Sequence, residues 1–226
     1  MENSFRALNI AFLDEWSKFA GIVGVDLFDV VSAIRVRPTH KNIMEPGLGV
    51  GGYCLTKDPL MGMVSLDQIY NKSLEFPLSR LSVSINQEMP ANTLELVLNH
   101  IDPKNNRALI LGITYRQDVG DLRYSPSEDL MTMLLEKNIK VDCHDPMVNH
   151  SNCKNVNFIS HLPKSDDYSI IVLAVKHAKF KTIDYLEWLK TFNGCLIDSN
   201  HVLSRTQLIT MIKYGIKVKA IGRGDL

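Results

Sequence analysis

Phe5, Leu8, Phe12, Trp16, Phe19 and Val23 recur three and four residues apart, the spacing that lines side chains along one stripe of a helix. Asn3 or Ser4 can cap the start of that helix, and Gly21 and Gly24 mark its end. A short second helix is expected from Leu27 to Ile34. A non-periodic stretch follows, RPTHKNIMEPGLGVGGYCLTKDP, after which a third helix is expected to begin at Pro59 with Asp58 as N-cap. A fourth should run from Pro77 towards Ile101, broken or kinked where Pro90 removes a donor.

Beyond residue 106 the pattern changes. RALILGIT, KVDCHD, SIIVLAV, GCLIDS and KVKAIGR are short apolar runs of strand type, and SPSEDLMTMLLEKN, TIDYLEWLKTF and SRTQLITMIKYG between them have helical spacing. Strands alternating with helices predict a parallel sheet covered on both faces. The fold class is therefore α/β: a helical central domain over residues 1–101, then a Rossmann-like parallel α/β domain over 102–226. The linker DPKNNR separates them. The first strand runs into LGITYRQDVGD, whose glycines stand only at 112 and 120, so the G-x-G-x-x-G that seats a dinucleotide pyrophosphate is missing.

Composition narrows the partners. Lys+Arg and Asp+Glu are both 25, and no basic stripe interleaves with aromatics, which argues against nucleic acid. No run approaches the ~20 apolar residues of a bilayer span. The N-terminus resembles neither a signal nor a transit peptide. A soluble, cytoplasmic protein is expected. Cys54, Cys143, Cys153 and Cys195 form no C-x-x-C pair, which disfavours metal ribbons and redox dithiols. His144 and His150, either side of a turn, read as surface residues and not as a metal pair; no metal site is expected.

The segment with most chemical character is PGLGVGGYCLTKDP, residues 46–59. Four glycines allow a tight loop whose backbone N–H groups can approach a ligand closely. Cys54 follows at once, with Lys57 and Asp58 at the head of a helix. A thiol beside a helix N-terminus and a lysine ionises more readily than a free one. The residues alone leave two readings open, a reactive thiol or a lone cysteine serving as a small buried hydrophobe.

This segment resembles the cysteine loop of the UDP-glucose/GDP-mannose dehydrogenase family, G-x-G-x-G-G-x-C-x-x-K-D. The matching residues are Gly47, Gly49, Gly51, Gly52, Cys54, Lys57 and Asp58, with Pro59 following. GITYRQDVGDLRYSP is similar to the family's G-hydrophobic-aromatic-basic-x-D-x-x-D-x-R-x-S-P, and CHDP (143–146) to its strand closing on Asp-Pro. ENSFRALNIAFLDE is similar to its helix joining cofactor and central domains. The four matches occur in the family's order and cover nearly the whole chain.

The resemblance implies an NAD-dependent oxidation of a UDP-sugar 6-hydroxyl to the uronic acid in two steps, for surface-polysaccharide precursors. Cys54 would capture the intermediate aldehyde, and its thioester would then be hydrolysed. Asp58 would act as base or water-positioning group, and Asn3 would stabilise an oxyanion. Substrate would lie against Gly49, Gly51, Gly52, Tyr115 and Arg116, and the cofactor NAD against Lys57, Asp121 and Arg123. Two of these have plainer readings: Asp121–Arg123 as a surface pair, and Tyr115 as core edge.

Departures from the family pattern are informative. The dinucleotide-binding domain and the family's catalytic lysine have no counterpart in the 226 residues, so a truncated enzyme without turnover of its own is expected. Arg35, Arg37 and His40 are candidates for a substrate-gripping cation. Where the family has D-x-R, this chain reads Asp198-Ser199-Asn200-His201. A homodimer through the helical domain is expected, because a stripe including Phe12, Trp16 and Phe19 is large for a small domain to bury alone. The rival reading is a UDP-sugar-binding and dimerisation module without chemistry. The sugar stays open among UDP-glucose, UDP-N-acetylglucosamine, UDP-N-acetylmannosamine and GDP-mannose.

Overall fold

The computed structural model describes residues 1–226. Helices come first: α1 (Glu2–Val23), α2 (Leu27–Arg35), α3 (Cys54–Lys57), α4 (Met61–Gln68) and α5 (Pro77–His100). No helix is long and apolar enough to cross a membrane.

Helix α1 packs its small-residue side, with Ala7, Ala11, Ser17 and Ala20 buried together with Ile10, Leu13 and Asp14. Its partner is α5. Asn86 Nδ2 donates to the Ala7 carbonyl at 3.0 Å, and Asn92 Nδ2 to Asp14 Oδ1 at 2.9 Å. The near-constant offset between partners means that the two helices run parallel. Asp14 is wholly buried, and burial pushes its carboxyl above the usual range despite Lys18 at 3.0 Å. The large aromatic stripe points outward: Phe5, Phe12, Trp16 and Phe19 are exposed, Trp16 stacked edge-on against both Phe12 and Phe19.

Three local expectations are corrected. The first helix starts at Glu2 with Met1 at the N-cap position, so Asn3 and Ser4 lie inside it, and ends at Gly24 in the left-handed conformation, with Gly21 inside the helix. The third helix begins at Cys54, and Asp58 caps nothing: it opens a 3₁₀ turn, Asp58–Leu60, leading into α4. Pro90 lies inside α5 without ending it. One missing intrahelical hydrogen bond is offset by packing along both halves of a 24-residue helix.

The second half supplies β1 (Arg107–Leu111), α6 (Pro126–Glu136), β2 (Lys140–His144), β3 (Asn157–Phe158) and β4 (Ile170–Leu173). Helices α7 (Ala178–Lys181) and α8 (Tyr185–Trp188), β5 (Cys195–Asp198), α9 (Arg205–Lys213) and β6 (Lys217–Ala220) complete it. All pairings are parallel, in the order β3-β2-β1-β4-β5-β6. The expected helix over 182–192 contracts to α8, and the two-residue β3 adds an edge that the hydrophobic pattern did not announce.

Alternation along the buried strands divides the core. Ala108 and Ile110 face α6, meeting Leu130, Met131 and Leu134, and Val97 of α5 joins this layer. Leu109 and Leu111 face the opposite layer with Phe180, Leu208 and Met211. Each fully buried aliphatic side chain contributes about 1.5–3 kcal/mol. Helix α5 thus packs against α1 at one end and beneath the sheet at the other.

The C-terminal segment folds back on the helical layer. Leu27 N–H donates to the Gly222 carbonyl at 2.8 Å, and Gly224 N–H to that of Val25 at 3.0 Å. Arg205 donates to buried Asp26 at 2.7 Å, and Arg223 lies over the Phe28 ring, 5.0 Å from its centroid.

Candidate functional site

The order β3-β2-β1-β4-β5-β6 reverses direction between β1 and β4, and in such sheets ligands lie beyond the carboxyl ends of the strands at that point. A cavity of about 430 Å³ opens there. Tyr115 and Arg116 reach it from the segment after β1, Lys176 from that after β4, and Asn200 from that after β5. The helical domain closes the other side with Arg35 and Glu45. Arg35 is committed: its Nη1 donates to Glu45 Oε1 at 2.6 Å, and its Nε and Nη2 to the Ile43 carbonyl. Arg116 and Lys176 make no ion pair, so two cations face the switch point uncompensated.

Glu45 also meets His201 Nδ1 at 3.3 Å. That hydrogen bond, followed by Arg35, lowers the Glu45 carboxyl to about 2. His201 stacks on Phe28 with 4.0 Å between ring centroids, tying the second domain to the first at the cavity rim. Asp118, Tyr124 and His201 all take positive φ (56°, 51° and 50°), backbone states held by their surroundings. Asp198, wholly buried, accepts from the Asn200, Val202 and Leu203 N–H groups, and burial pushes its carboxyl up.

The glycine loop is an interdomain joint. A side chain at Gly51 would strike the Tyr124 carbonyl at 2.5 Å and Tyr115 Cβ at 2.6 Å. Gly52 has φ +78° and lies under the Tyr115 ring, and a Cβ at Gly49 would fall 2.7 Å from Pro126. Gly52 N–H donates to the Arg123 carbonyl at 3.1 Å. The space above Gly51 and Gly52, expected for a ligand, is filled by the second domain's motif segment, whereas Gly49 also lines the 430 Å³ cavity. Tyr115, half-buried, packs over Gly52 and also lines the cavity.

Cys54 is exposed and begins α3, and Asp58 N–H donates to its carbonyl one turn on, so the two side chains share a helix face. Asn3 Nδ2 donates to Asp58 Oδ2 at 2.8 Å, and Lys57 Nζ is 3.3 Å from Asp58 Oδ1. Asn3 first, and Lys57 after it, hold the Asp58 carboxyl below the usual range. Cys54, Asp58 and Asn3 therefore assemble at one place, whereas Cys54 does not line the 430 Å³ cavity. Lys57 lines a smaller space of about 210 Å³ with Tyr124, Asn86 and Asp129.

Asp121 and Arg123 pair with each other, Nη2 to Oδ2 at 2.7 Å, on an exposed edge. The pair lowers the Asp121 carboxyl. This is the plainer of the two sequence readings, although the guanidinium remains accessible. His144, expected at the surface, is buried at the end of β2 with Nδ1 2.8 Å from the Ile159 carbonyl. Lys176, Glu45 and His177 were not singled out by sequence. They carry no motif: Lys176 and His177 gain meaning only once β1 and β4 are known to be neighbours, and Glu45 once the segment after β5 brings His201 to it.

Residues 1–88 match the model of the UDP-glucose/GDP-mannose dehydrogenase family, central domain, and residues 109–205 that of the same family's UDP binding domain. The UDP-N-acetyl-D-mannosamine dehydrogenase of Methanocaldococcus jannaschii is 29% identical over 99% of this chain and 50% of its own length. The solved UDP-D-ManNAc dehydrogenase of Pyrococcus horikoshii superposes with a TM-score of 0.78 at 29% identity, covering the whole of this chain and 51% of that one. The NDP-N-acetyl-D-galactosaminuronic acid dehydrogenase of Methanosarcina mazei Go1 gives 0.86 at 26% identity, over 99% and 50% of the two chains. The chain spans about half the length of the curated relatives it matches.

Proposed function

This chain belongs to the UDP-glucose/GDP-mannose dehydrogenase family, as its central and UDP-binding domains, and we propose that it binds the nucleotide part of a UDP-sugar while presenting the aldehyde-capturing half of a 6-dehydrogenase site. The observation that carries this reading is the pair of uncompensated cations, Arg116 and Lys176, at the sheet's switch point, one joint away from the Cys54 loop. Two positive groups at the carboxyl ends of adjacent parallel strands suit a diphosphate.

In the complete enzyme, the Cys54 thiolate adds to the C6 aldehyde carbon and the carbonyl oxygen takes up negative charge. The Asn3 amide has two N–H groups; Asp58 accepts one, leaving the other to donate to that oxygen. Asp58, kept ionised by Asn3 and Lys57, acts as base or water-positioning group for the water that hydrolyses the thioester. NAD, when bound, would supply the acceptor for the hydride lost as the thiohemiacetal becomes the thioester. What this chain offers it is charge at an exposed rim, Arg123 with its Asp121 partner and Lys57, and not a pyrophosphate cradle. The chain alone is therefore assigned nucleotide binding without turnover, and its role in the whole protein is the making of uronic acid units for surface polysaccharides. The exposed aromatic stripe of α1 is assigned to a homodimer interface.

The test combines calorimetry with UDP and UDP-sugars and alkylation of Cys54 by iodoacetamide. Saturable UDP binding, with UDP-sugar slowing alkylation, supports the reading. Absence of UDP binding overturns it. UDP binding with an inert thiol favours a module that holds nucleotide sugar without chemistry, the second reading suited to a chain lacking a dinucleotide cradle. Robust NADH production from UDP-sugars by the purified chain would contradict the absence of turnover.

A further inference from the structure

The segment after β1 that carries Tyr115, Arg116 and Gln117 into the cavity lies outside the sheet's ladder, so something else must fix it. His177, wholly buried at the N-cap position of α7, is placed to do so. Its Nδ1 is 2.9 Å from the backbone nitrogen of Asp118. Its Nε2 is 3.1 Å from Asp145 Oδ2 and 3.1 Å from Thr114 Oγ1. A backbone N–H can only donate, so Nδ1 is the lone-pair nitrogen and the ring hydrogen is on Nε2, which donates to Asp145. The same carboxylate oxygen accepts from the Ile113 and Thr114 N–H groups at 2.7 and 3.1 Å.

Asp118 completes the clamp. It takes φ 56°, unfavourable for a residue with a Cβ, and its Oδ1 accepts from Ala178 N–H at 3.0 Å. The segment is thus held at Thr114 by Asp145 and at Asp118 by His177, with Tyr115 N–H also donating to the Asp121 carbonyl at 2.9 Å and Thr114 Oγ1 to the Arg116 carbonyl at 3.1 Å. Losing His177 removes the only acceptor of the Asp118 N–H and leaves Asp118 with its Ala178 contact alone.

We infer that His177 is a positioning residue of the nucleotide site: through the lone pair on Nδ1 it fixes Asp118 and so sets where Arg116 meets the diphosphate. This rests on the nucleotide reading above for its consequence, and on geometry alone for the clamp. The competing role is purely structural: His177 packs edge-on against Phe180, 5.4 Å between ring centroids, and braces Asp145.

Two conservative variants separate these roles. In His177→Asn the side-chain oxygen can stand where Nδ1 does, keeping an acceptor for Asp118; in His177→Gln the amide stands where Nε2 does, keeping the Asp145 contact. The inference expects His177→Asn to retain slow hydrogen exchange at the Asp118 amide and UDP affinity within about twofold of wild type. It expects His177→Gln to lose that protection and about tenfold in UDP affinity, the scale of one lost hydrogen bond of this kind. The reverse order, or two variants that both behave as wild type, would overturn it. In the unaltered chain, ¹⁵N NMR of the imidazole should find the hydrogen on Nε2, and finding it on Nδ1 would overturn the inference even if neither variant folds. Amide exchange needs no ligand, so a wild type that fails to bind UDP sinks the nucleotide reading while exchange still decides whether His177 holds the segment.

Discussion

Asn3 and Asp58, fifty-five residues apart, are joined by a 2.8 Å hydrogen bond from amide to carboxylate. The first turn of α1 thereby governs the charge of a group one turn beyond Cys54. Because Asn3 is the largest cause of the lowered Asp58 carboxyl, Asn3→Ala should move the Asp58 titration up towards the ordinary aspartate range. Carbon-13 NMR of the carboxyl group reads this directly. An unmoved titration would mean that Lys57 alone sets the charge.

The glycine joint can be probed by contrast. Gly51→Ala puts a methyl into the Tyr124 carbonyl, Tyr115 and Pro126, and should cost about 1–3 kcal/mol of unfolding free energy. Gly21→Ala, inside α1 with open space around it, should instead stabilise by roughly 0.5–1 kcal/mol. Urea unfolding of both variants is the check, and a Gly51→Ala protein as stable as wild type would refute the interdomain joint.

For the nucleotide, Arg116→Ala and Lys176→Ala should each weaken UDP binding about tenfold or more, the scale of one charge-assisted hydrogen bond. Arg123→Ala should leave UDP affinity unchanged, since its guanidinium is exposed and paired with Asp121. Calorimetry showing the opposite ranking would move the diphosphate away from the switch point.

The Glu45 carboxyl, lowered to about 2 by His201 first and Arg35 after it, makes a signed prediction. A depressed carboxyl stabilises the fold fully above its unfolded value, about 4.3, and loses that contribution as pH falls through the folded value. The stability advantage of wild type over Glu45→Gln should therefore hold at pH 5 and shrink between about 4.5 and 2. Thermal midpoints of the two proteins across that range decide the matter; a constant difference would be evidence against the His201–Glu45 contact.

The α1 stripe predicts assembly. Trp16→Glu places a charge beside Phe12 and Phe19 and should yield a monomer with an unchanged far-ultraviolet spectrum. Sedimentation velocity reports the state, and a wild type that is already monomeric removes the proposed interface.

Much of this was legible in the chain. Alternating apolar runs and helical spacings were enough to place five of the six strands and the long helices. The period of α1 was also readable, but not its inward face. Both sides are apolar, and α5 approaches closely enough to choose the alanines over the aromatics, a preference that periodicity does not encode. Pro90 does not end α5 because tertiary packing outweighs one lost local hydrogen bond. Asp58 looked like a cap because its partner, Asn3, is remote in sequence. Lys176 and His177 were invisible for the same reason: their significance depends on β1 and β4 being adjacent, which only the folded sheet declares.

The return of residues 222–225 onto residues 25–27 has a practical corollary. A protease nick anywhere in the 102–107 linker would not liberate two independent modules, because the severed pieces would still be stitched together by the Leu27–Gly222 and Val25–Gly224 bonds, the Asp26–Arg205 ion pair and the seated glycine loop. Such a pair, expressed as separate polypeptides, would be a natural candidate for split-protein complementation.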